Sequence, residues 1–320
     1  MTGVQTCALP IYISRVWPSG SDEISGVAAH NGFLIIFGKS QILVYQGATS
    51  PATISLSDTV SGIGCIARDS IQNTGTDVIF LSNSGVRSFL RTIQEKSAPL
   101  RDLSKNVRNN LMEVINGETK SSIKSVYSEF QAFYLLSCPT AKVVYCFDTR
   151  GTLQDGASRT TTWDSIEPKS FCNKVDGTLL IGKTGYIGEY DSYYDDTATY
   201  RMVYFTNHAD LGNVNQTSIL KRLTAIIIGG SDQSVTFKWG FDFNENYRSQ
   251  SVQIPLQGTS YYNIGEYGIA EYSDGIALQT LTVNATGYGK IVQTGYESDI
   301  NGAPLSIQKI EIQAKNGKLT

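Results

Sequence analysis

The sequence predicts an all-β chain: β-propeller blades, incomplete at the N-terminus, with one inserted amphipathic helix, followed by a β-sandwich-like domain. Three observations predict it. Short apolar strand pairs separated by tight turns recur along the first 200 residues. One interval between them is lengthened by a helical stripe. Beyond residue 200 the strands continue but lose the regular spacing.

The first pair is Phe33-Leu-Ile-Ile-Phe37 and Gln41-Ile-Leu-Val-Tyr45, joined by Gly38-Lys39-Ser40. Val78-Ile-Phe-Leu81 and Val86-Arg-Ser-Phe89 flank Ser82-Asn-Ser-Gly85. Phe133-Tyr-Leu-Leu136 and Val143-Val-Tyr-Cys-Phe147 flank Cys138-Pro-Thr-Ala141. Leu179-Leu-Ile181 and Tyr186-Ile-Gly-Glu-Tyr190 flank Gly182-Lys-Thr-Gly185. A β-rich unit repeating every ~40–50 residues is a propeller signature, because a lone hairpin cannot hide its apolar face and stacking does. The expected organisation is 12–200 for the blades and 201–320 for the sandwich-like domain.

Between the second and third pairs, Leu103, Val107, Leu111 and Ile115 recur every fourth residue, with Val114 beside them and Asn116-Gly117 as a stop. That stripe predicts an amphipathic helix over 103–115. After residue 200, strands are expected at 223–228, 235–243, 251–254, 278–283 and 306–312. Val235, Phe237, Trp239 and Phe241 alternate with polar or small residues, the pattern of a half-buried strand.

Composition bounds the function classes. The chain has 320 residues, 41% hydrophobic and 17% charged, with a formal net charge of −3. That apolar fraction excludes disorder, and the charge balance gives no reason to expect general nucleic-acid or anionic-membrane binding. No run of 18 apolar residues is present to span a membrane. Residues 1–11 read as a translated sequencing adapter; they lack the basic start and long apolar stretch of a signal peptide. The expectation is a gene fragment lacking its native N-terminus, with a second cut after Thr320 left open. Setting Cys7 aside leaves Cys65, Cys138, Cys146 and Cys172, none in a Cys-x-x-Cys pair, which read as small buried hydrophobes of a reducing compartment.

Motifs that carry chemistry elsewhere fail here on context. Gly177-Thr-Leu-Leu-Ile-Gly182-Lys183-Thr184 satisfies the P-loop pattern. A working P-loop needs a helix after it, and Gly-Tyr-Ile-Gly follows instead, so nucleotide binding is rejected. Gly38-Lys39-Ser40 lacks the leading glycine, its place taken by Phe33. Gly62-Ile-Gly64-Cys-Ile-Ala67 loosely matches the dinucleotide fingerprint without a βαβ unit around it. His30 and His208 stand far apart, outside any catalytic motif, and read as structural or surface histidines. Glu189, Asp191, Asp195 and Asp196, threaded with Tyr190, Tyr193 and Tyr194, form the densest acidic cluster. It reads as a solvated loop, with calcium or paired glycosidase carboxylates as the functional readings. No catalytic, cofactor-binding or metal residue is assigned, and no cofactor is expected.

One local charge feature remains. Arg87, Arg91, Lys96, Arg101, Lys105 and Arg108, against Glu95 and Asp102, give 84–110 a net charge of +4. This basic patch is a candidate DNA-facing or interface surface, or it balances an acidic neighbour. No groove-reading motif accompanies it.

The stretch from His30 to Tyr45 resembles a recurring phrase in tail proteins of short-tailed bacteriophages. So does Gly75 to Phe89, continued by Lys96-Ser-Ala-Pro-Leu-Arg-Asp-Leu-Ser104. The stretch from Tyr204 to Phe243, through Asp210-Leu-Gly and Lys221, is similar to the strands that follow the propeller there. The family is the tail nozzle group, also called tail tubular protein B or packaged-DNA stabilisation protein. The resemblance implies a virion structural protein, not an enzyme: a propeller with a sandwich, six copies in a ring below portal and adaptor. The ring would retain and conduct double-stranded DNA through non-specific contact and be assembled in the host cytoplasm. Two other classes stay open at this point: a glycan-binding or glycan-cleaving propeller acting on the host surface, and a cellular interaction scaffold.

Overall fold

The computed structural model describes residues 17–18, 20–50, 52–95, 102–164, 166–211, 216–230, 232–255 and 278–319. It is all-β, built from several antiparallel sheets with little helix. The chain divides into two compact units, 1–191 and 192–320.

Among the described residues, the first unit holds four sheets in chain order. Sheet one is β1 (Ile24–His30), β2 (Phe33–Gly38), β3 (Gln41–Gln46) and β4 (Ser55–Ser61). Sheet two is β5 (Gln72–Asn73), β6 (Val78–Ser82) and β7 (Gly85–Ser88). Sheet three is β8 (Lys124–Ser128), β9 (Phe133–Cys138), β10 (Val143–Thr152) and β11 (Ser158–Trp163). Sheet four is β12 (Ser170–Asn173), β13 (Leu179–Lys183) and β14 (Tyr186–Glu189). Each is a meander in which sequential strands pair antiparallel. The four predicted hairpins lie inside these sheets; each gains a first strand, and sheets one and three gain a fourth.

Side-chain alternation makes successive sheets neighbours. Val78 and Phe80 of β6 join the cluster of Ile35, Phe37, Ile42 and Val44 from sheet one. Their sequence neighbours Ile79 and Leu81 point the other way, into the cluster of Tyr134, Leu136 and Tyr145 from sheet three. Sheet three repeats the device. Phe133, Leu135 and Val144 turn to Leu179 and Ile181 of sheet four. Period-two alternation with both faces buried explains why these strands read as unbroken apolar runs. The first strands β1, β5, β8 and β12 run beside one another. Side-chain amides clasp them: Asn73 Nδ2 donates to the Ala29 carbonyl at 2.9 Å, Gln72 Nε2 to that of Ser125 at 3.1 Å, and Asn173 Nδ2 to that of Tyr127 at 2.7 Å.

Two helices lie between sheets two and three. α1 (Phe89–Glu95) is a short helix that the sequence reading does not contain; α2 (Arg108–Gly117) carries the predicted stripe. The helix opens later than expected, after a 3-10 turn at Lys105–Val107. Leu103 therefore packs from the loop before the helix, into the same cluster as Leu111 and Ile115.

Among the described residues, the second unit has two sheets. One orders β15 (Tyr200–Phe205), β22 (Ile291–Ile300), β18 (Ser234–Phe241) and β19 (Arg248–Gln253), with β16 (Ala209–Asp210) also on β22. The other sets β17 (Gln216–Gly229) between β23 (Leu305–Leu319) on one side and β20 (Leu278–Asn284) and β21 (Tyr288–Gly289). Leu223, Ile227 and Val283 of the second sheet share one cluster with Val235, Phe237, Trp239 and Tyr296 of the first. Five of these strands follow the expected ones. β15 and β22, one an edge and one a centre of the same sheet, do not appear in the sequence reading.

On that sheet Glu297 sits between Arg201 Nη2 and Lys238 Nζ, each 2.5 Å away. Burial opposes its charge, but the Lys238 ammonium and Arg201 guanidinium outweigh it and hold the carboxyl below its ordinary value of 4.5. A depressed carboxyl contributes stability above the unfolded pKa and loses it as pH falls through the folded one. Between about pH 3 and pH 6, the Tm of the wild type should therefore fall more steeply on acidification than that of Glu297→Gln. Parallel melting curves for the two proteins would remove the ion pair from the stability account.

Candidate functional surfaces

The basic run from 84 to 110 is largely tied into the fold. Arg87, on β7, is 4% exposed. Its Nε donates to Ser82 Oγ at 2.8 Å and its Nη2 to Ser84 Oγ at 2.5 Å, so it closes the β6–β7 turn from inside. Burial corrects the surface reading for this residue. Arg91 on α1 donates to the Gly156 carbonyl at 2.7 Å, and Lys105 pairs with Asp155 at 3.4 Å. Arg108 caps the fully buried carboxylate of Asp102, with Nε at 2.9 Å. Each described cation thus links the 82–108 segment to itself or to the 152–156 turn. Lys96 and Arg101 lie outside the described residues.

The P-loop residues occupy a β-hairpin. Gly177 turns the chain into β13 with φ +88°, its N–H bonded to the Lys174 carbonyl at 3.0 Å. Gly182 sits on β13 where a Cβ would lie 2.1 Å from Ser170 Oγ. Lys183 ends that strand with Nζ 5.5 Å from the Tyr186 ring centroid, and Thr184 is in the turn to β14. The stretch runs on into β14, paired antiparallel with β13, and not into the helix whose N-terminal amides a P-loop uses to cradle phosphate. The dinucleotide-like glycines likewise have structural reasons, one of backbone conformation and one of packing. Gly62 has φ +79°, and a Cβ on Gly64 would meet the backbone of Gly38 and Lys39.

The acidic residues fall in both compact units. Glu189 binds Lys174 at 2.9 Å, and the backbone of Asp195 pairs antiparallel with that of Ala198. Asp191 closes the first unit, whereas Asp195 and Asp196 belong to the second. Among the described residues no group of three His, Cys, Asp or Glu side chains could hold a metal ion. Tyr190 packs in the first unit, its ring stacked on Trp163 at 5.7 Å and edge-on to Phe133 at 5.6 Å. His30 is buried and His208 lies 4.4 Å from the Phe243 ring. Cys65 and Cys138 are buried, and burial pushes the Cys138 thiol up to about 12. Cys172 departs from the expectation by being exposed at the edge of sheet four. No helix among the described residues is long and apolar enough to cross a membrane.

One feature was missed in sequence. A groove of about 650 Å³ runs along the clasped first strands, lined by Val27, Ala29, Arg68, Ile71, Asn73 and Ser125. Asp69 lies beside it, bound by Lys124 and by Arg68 Nε at 2.9 Å. The Lys124 hydrogen bond, then that of Arg68, overcomes burial and holds the Asp69 carboxyl below the usual range. Arg68 keeps most of its surface in solvent. Its cue, Arg68-Asp69-Ser70 after the glycine-rich stretch, is too short to carry a motif.

No family model matches the chain, and no curated protein matches it. Among solved structures it is similar to an exo-beta-1,3-galactanase from Phanerochaete chrysosporium with galactose. The TM-score is 0.26 at 8% identity, covering 88% of this chain and 80% of that one. It is also similar to a Bacillus thuringiensis Cry1Da tryptic core variant. There the TM-score is 0.25 at 10% identity, covering 92% of this chain and 52% of that one. Likeness at this level assigns neither fold nor function.

Proposed function

We propose that the chain is a structural wall component of a short bacteriophage tail, part of an oligomeric nozzle that retains and conducts genomic DNA. In this reading the first unit is an arc of β-propeller blades and the second a β-sandwich. The observation that carries it is the row of four meander sheets, with sheets two and three packed on both faces and the first strands clasped side by side. A row locked by close packing and cross-sheet amides resists deformation, which a conduit under internal pressure requires. The phrases resembling tail nozzle proteins support the same reading, because they fall on this row: 30–45 spans β2 and β3, and 75–89 spans β6 and β7.

The role is mechanical and assigns no catalytic residue. Passing DNA would be met by few net charges, since Arg68 and Lys124 are partly neutralised by Asp69. Weak, salt-sensitive contact lets a polyanion slide. Mass photometry of the chain with a phage tail adaptor is expected to show a ring-sized particle incorporating both. A chain that stays monomeric and never joins adaptor particles would overturn the assignment.

A further inference from the structure

The groove along the first strands has a strand edge for one wall. β1 is the edge of sheet one on the groove side, paired only with β2 among the described residues. Asn31 and Gly32 turn the β1–β2 hairpin with φ of +48° and +78°, and the pair that closes such a two-residue turn is hydrogen-bonded. Bonded pairs alternate along an antiparallel ladder. His30, Ala28 and Gly26 therefore spend their backbone groups on β2, while Ala29 and Val27 turn theirs outward. Among the described residues, one of those outward groups is bonded: the Ala29 carbonyl accepts from Asn73 Nδ2 at 2.9 Å. The Ala29 N–H and both backbone groups of Val27 stay open to the groove, where Val27 is 56% exposed.

An open strand edge is a template for another strand, and edges are commonly guarded by charge, proline or bulges. The register of β1 shifts between Ile24 and Gly26, and residues 26–30 beyond that shift contain no proline, lysine, arginine or carboxylate. Charge selects the occupant. Asp69 is the one carboxylate among the groove's described lining residues, and both Arg68 and Lys124 bind it, so the positive sign prevails. Arg68 binds Asp69 through Nε and keeps 79% of its side chain in solvent. A Cβ on Gly26 would lie 3.5 Å from Arg68 Cγ, which sets the arginine beside the neighbour of Val27.

We infer that the groove takes an extended peptide segment that pairs as a strand with Val27 and Ala29 and sets an acidic side chain against Arg68. The N–H groups of Val27 and Ala29 donate to its carbonyls, and the Val27 carbonyl accepts from one of its amides. The Asn73 carboxamide already does for Ala29 what such an amide would do. Backbone pairing supplies the affinity, and the arginine selects the acidic residue. The site rests on the edge of β1 and not on the tail-nozzle reading.

Fluorescence anisotropy of the full chain tests it. The probe is a labelled peptide of about seven residues, valine and threonine alternating around a central glutamate, the length of an ordinary strand. Saturable binding is expected. Methylating one alternate set of peptide amides should abolish it and methylating the other should not, because one edge of the peptide faces β1. A lysine in place of the glutamate, or Arg68→Gln in the protein, should weaken binding about tenfold, the loss of one charge-assisted hydrogen bond. Val27→Pro removes an outward N–H and no ladder bond, so binding should fall by a similar factor while the melting temperature holds. Should that variant fold poorly, the exposed Arg68→Gln and the methylated peptides still decide. The absence of saturable binding, equal loss from either methylated set, or full binding by both variants would overturn the site. So would displacement of the peptide by a single-stranded oligonucleotide whose binding depends on Arg68 but not on the Val27 N–H.

Discussion

Phe80→Ala is expected to destabilise the first unit by about 3–5 kcal/mol, the range for emptying an aromatic site in a close-packed core. Phe80 is fully buried, and its ring lies 5.0 Å from that of Phe37 across the gap between sheets two and one. Phe89 meets Phe37 edge-on at 6.2 Å, so Phe80 belongs to a buried aromatic cluster centred on Phe37. Urea unfolding of wild type and variant measures the difference. A loss below about 1 kcal/mol would mean that the two sheets are not packed through these rings, and the row would lose its first interface.

Gly64→Val should cost about 3 kcal/mol, the upper end of ordinary overpacking. A Cβ there would sit 2.3 Å from the Lys39 carbonyl carbon and 2.4 Å from the Gly38 oxygen. Those are backbone atoms, fixed by the Cys65 N–H bond to the Gly38 carbonyl at 2.8 Å, so no rotamer relieves the overlap. The substitution also separates two explanations of the glycine-rich stretch. If Gly64 serves packing, a thermal melt should show the same loss with and without a dinucleotide. Wild-type stabilisation by the dinucleotide that the variant lacks would restore the binding reading.

The hairpins at 78–89 and 133–147 were legible because a strand buried on both faces must be apolar at every position, and those at 33–45 and 179–190 because short apolar runs flank a Gly-Lys turn. The α2 stripe was legible because Leu111 and Ile115 keep one phase against a single core. β22 was not. Glu297, Ser298 and Asp299 give it the composition of a loop, and it is a strand because β15 and β18 satisfy its backbone on both sides. α1 was hidden because seven residues are too few to display a helical period. Arg87 was read as surface because arginine is seldom buried, and nothing local announces that Ser82 and Ser84 will hold its guanidinium inside.

Local side-chain chemistry by itself determined that this chain makes β-meanders, where most of them turn, and that its Gly-Lys-Thr stretch belongs to a hairpin. Those properties depend on alternation, turn residues and helical phase, all written within a few residues. Only the tertiary structure decided which face of each sheet meets which neighbour, that Asn73, Gln72 and Asn173 clasp the first strands, and that the described basic residues fasten a loop. Each of these depends on groups up to 65 residues apart, such as Arg91 and Gly156, whose meeting no local pattern encodes.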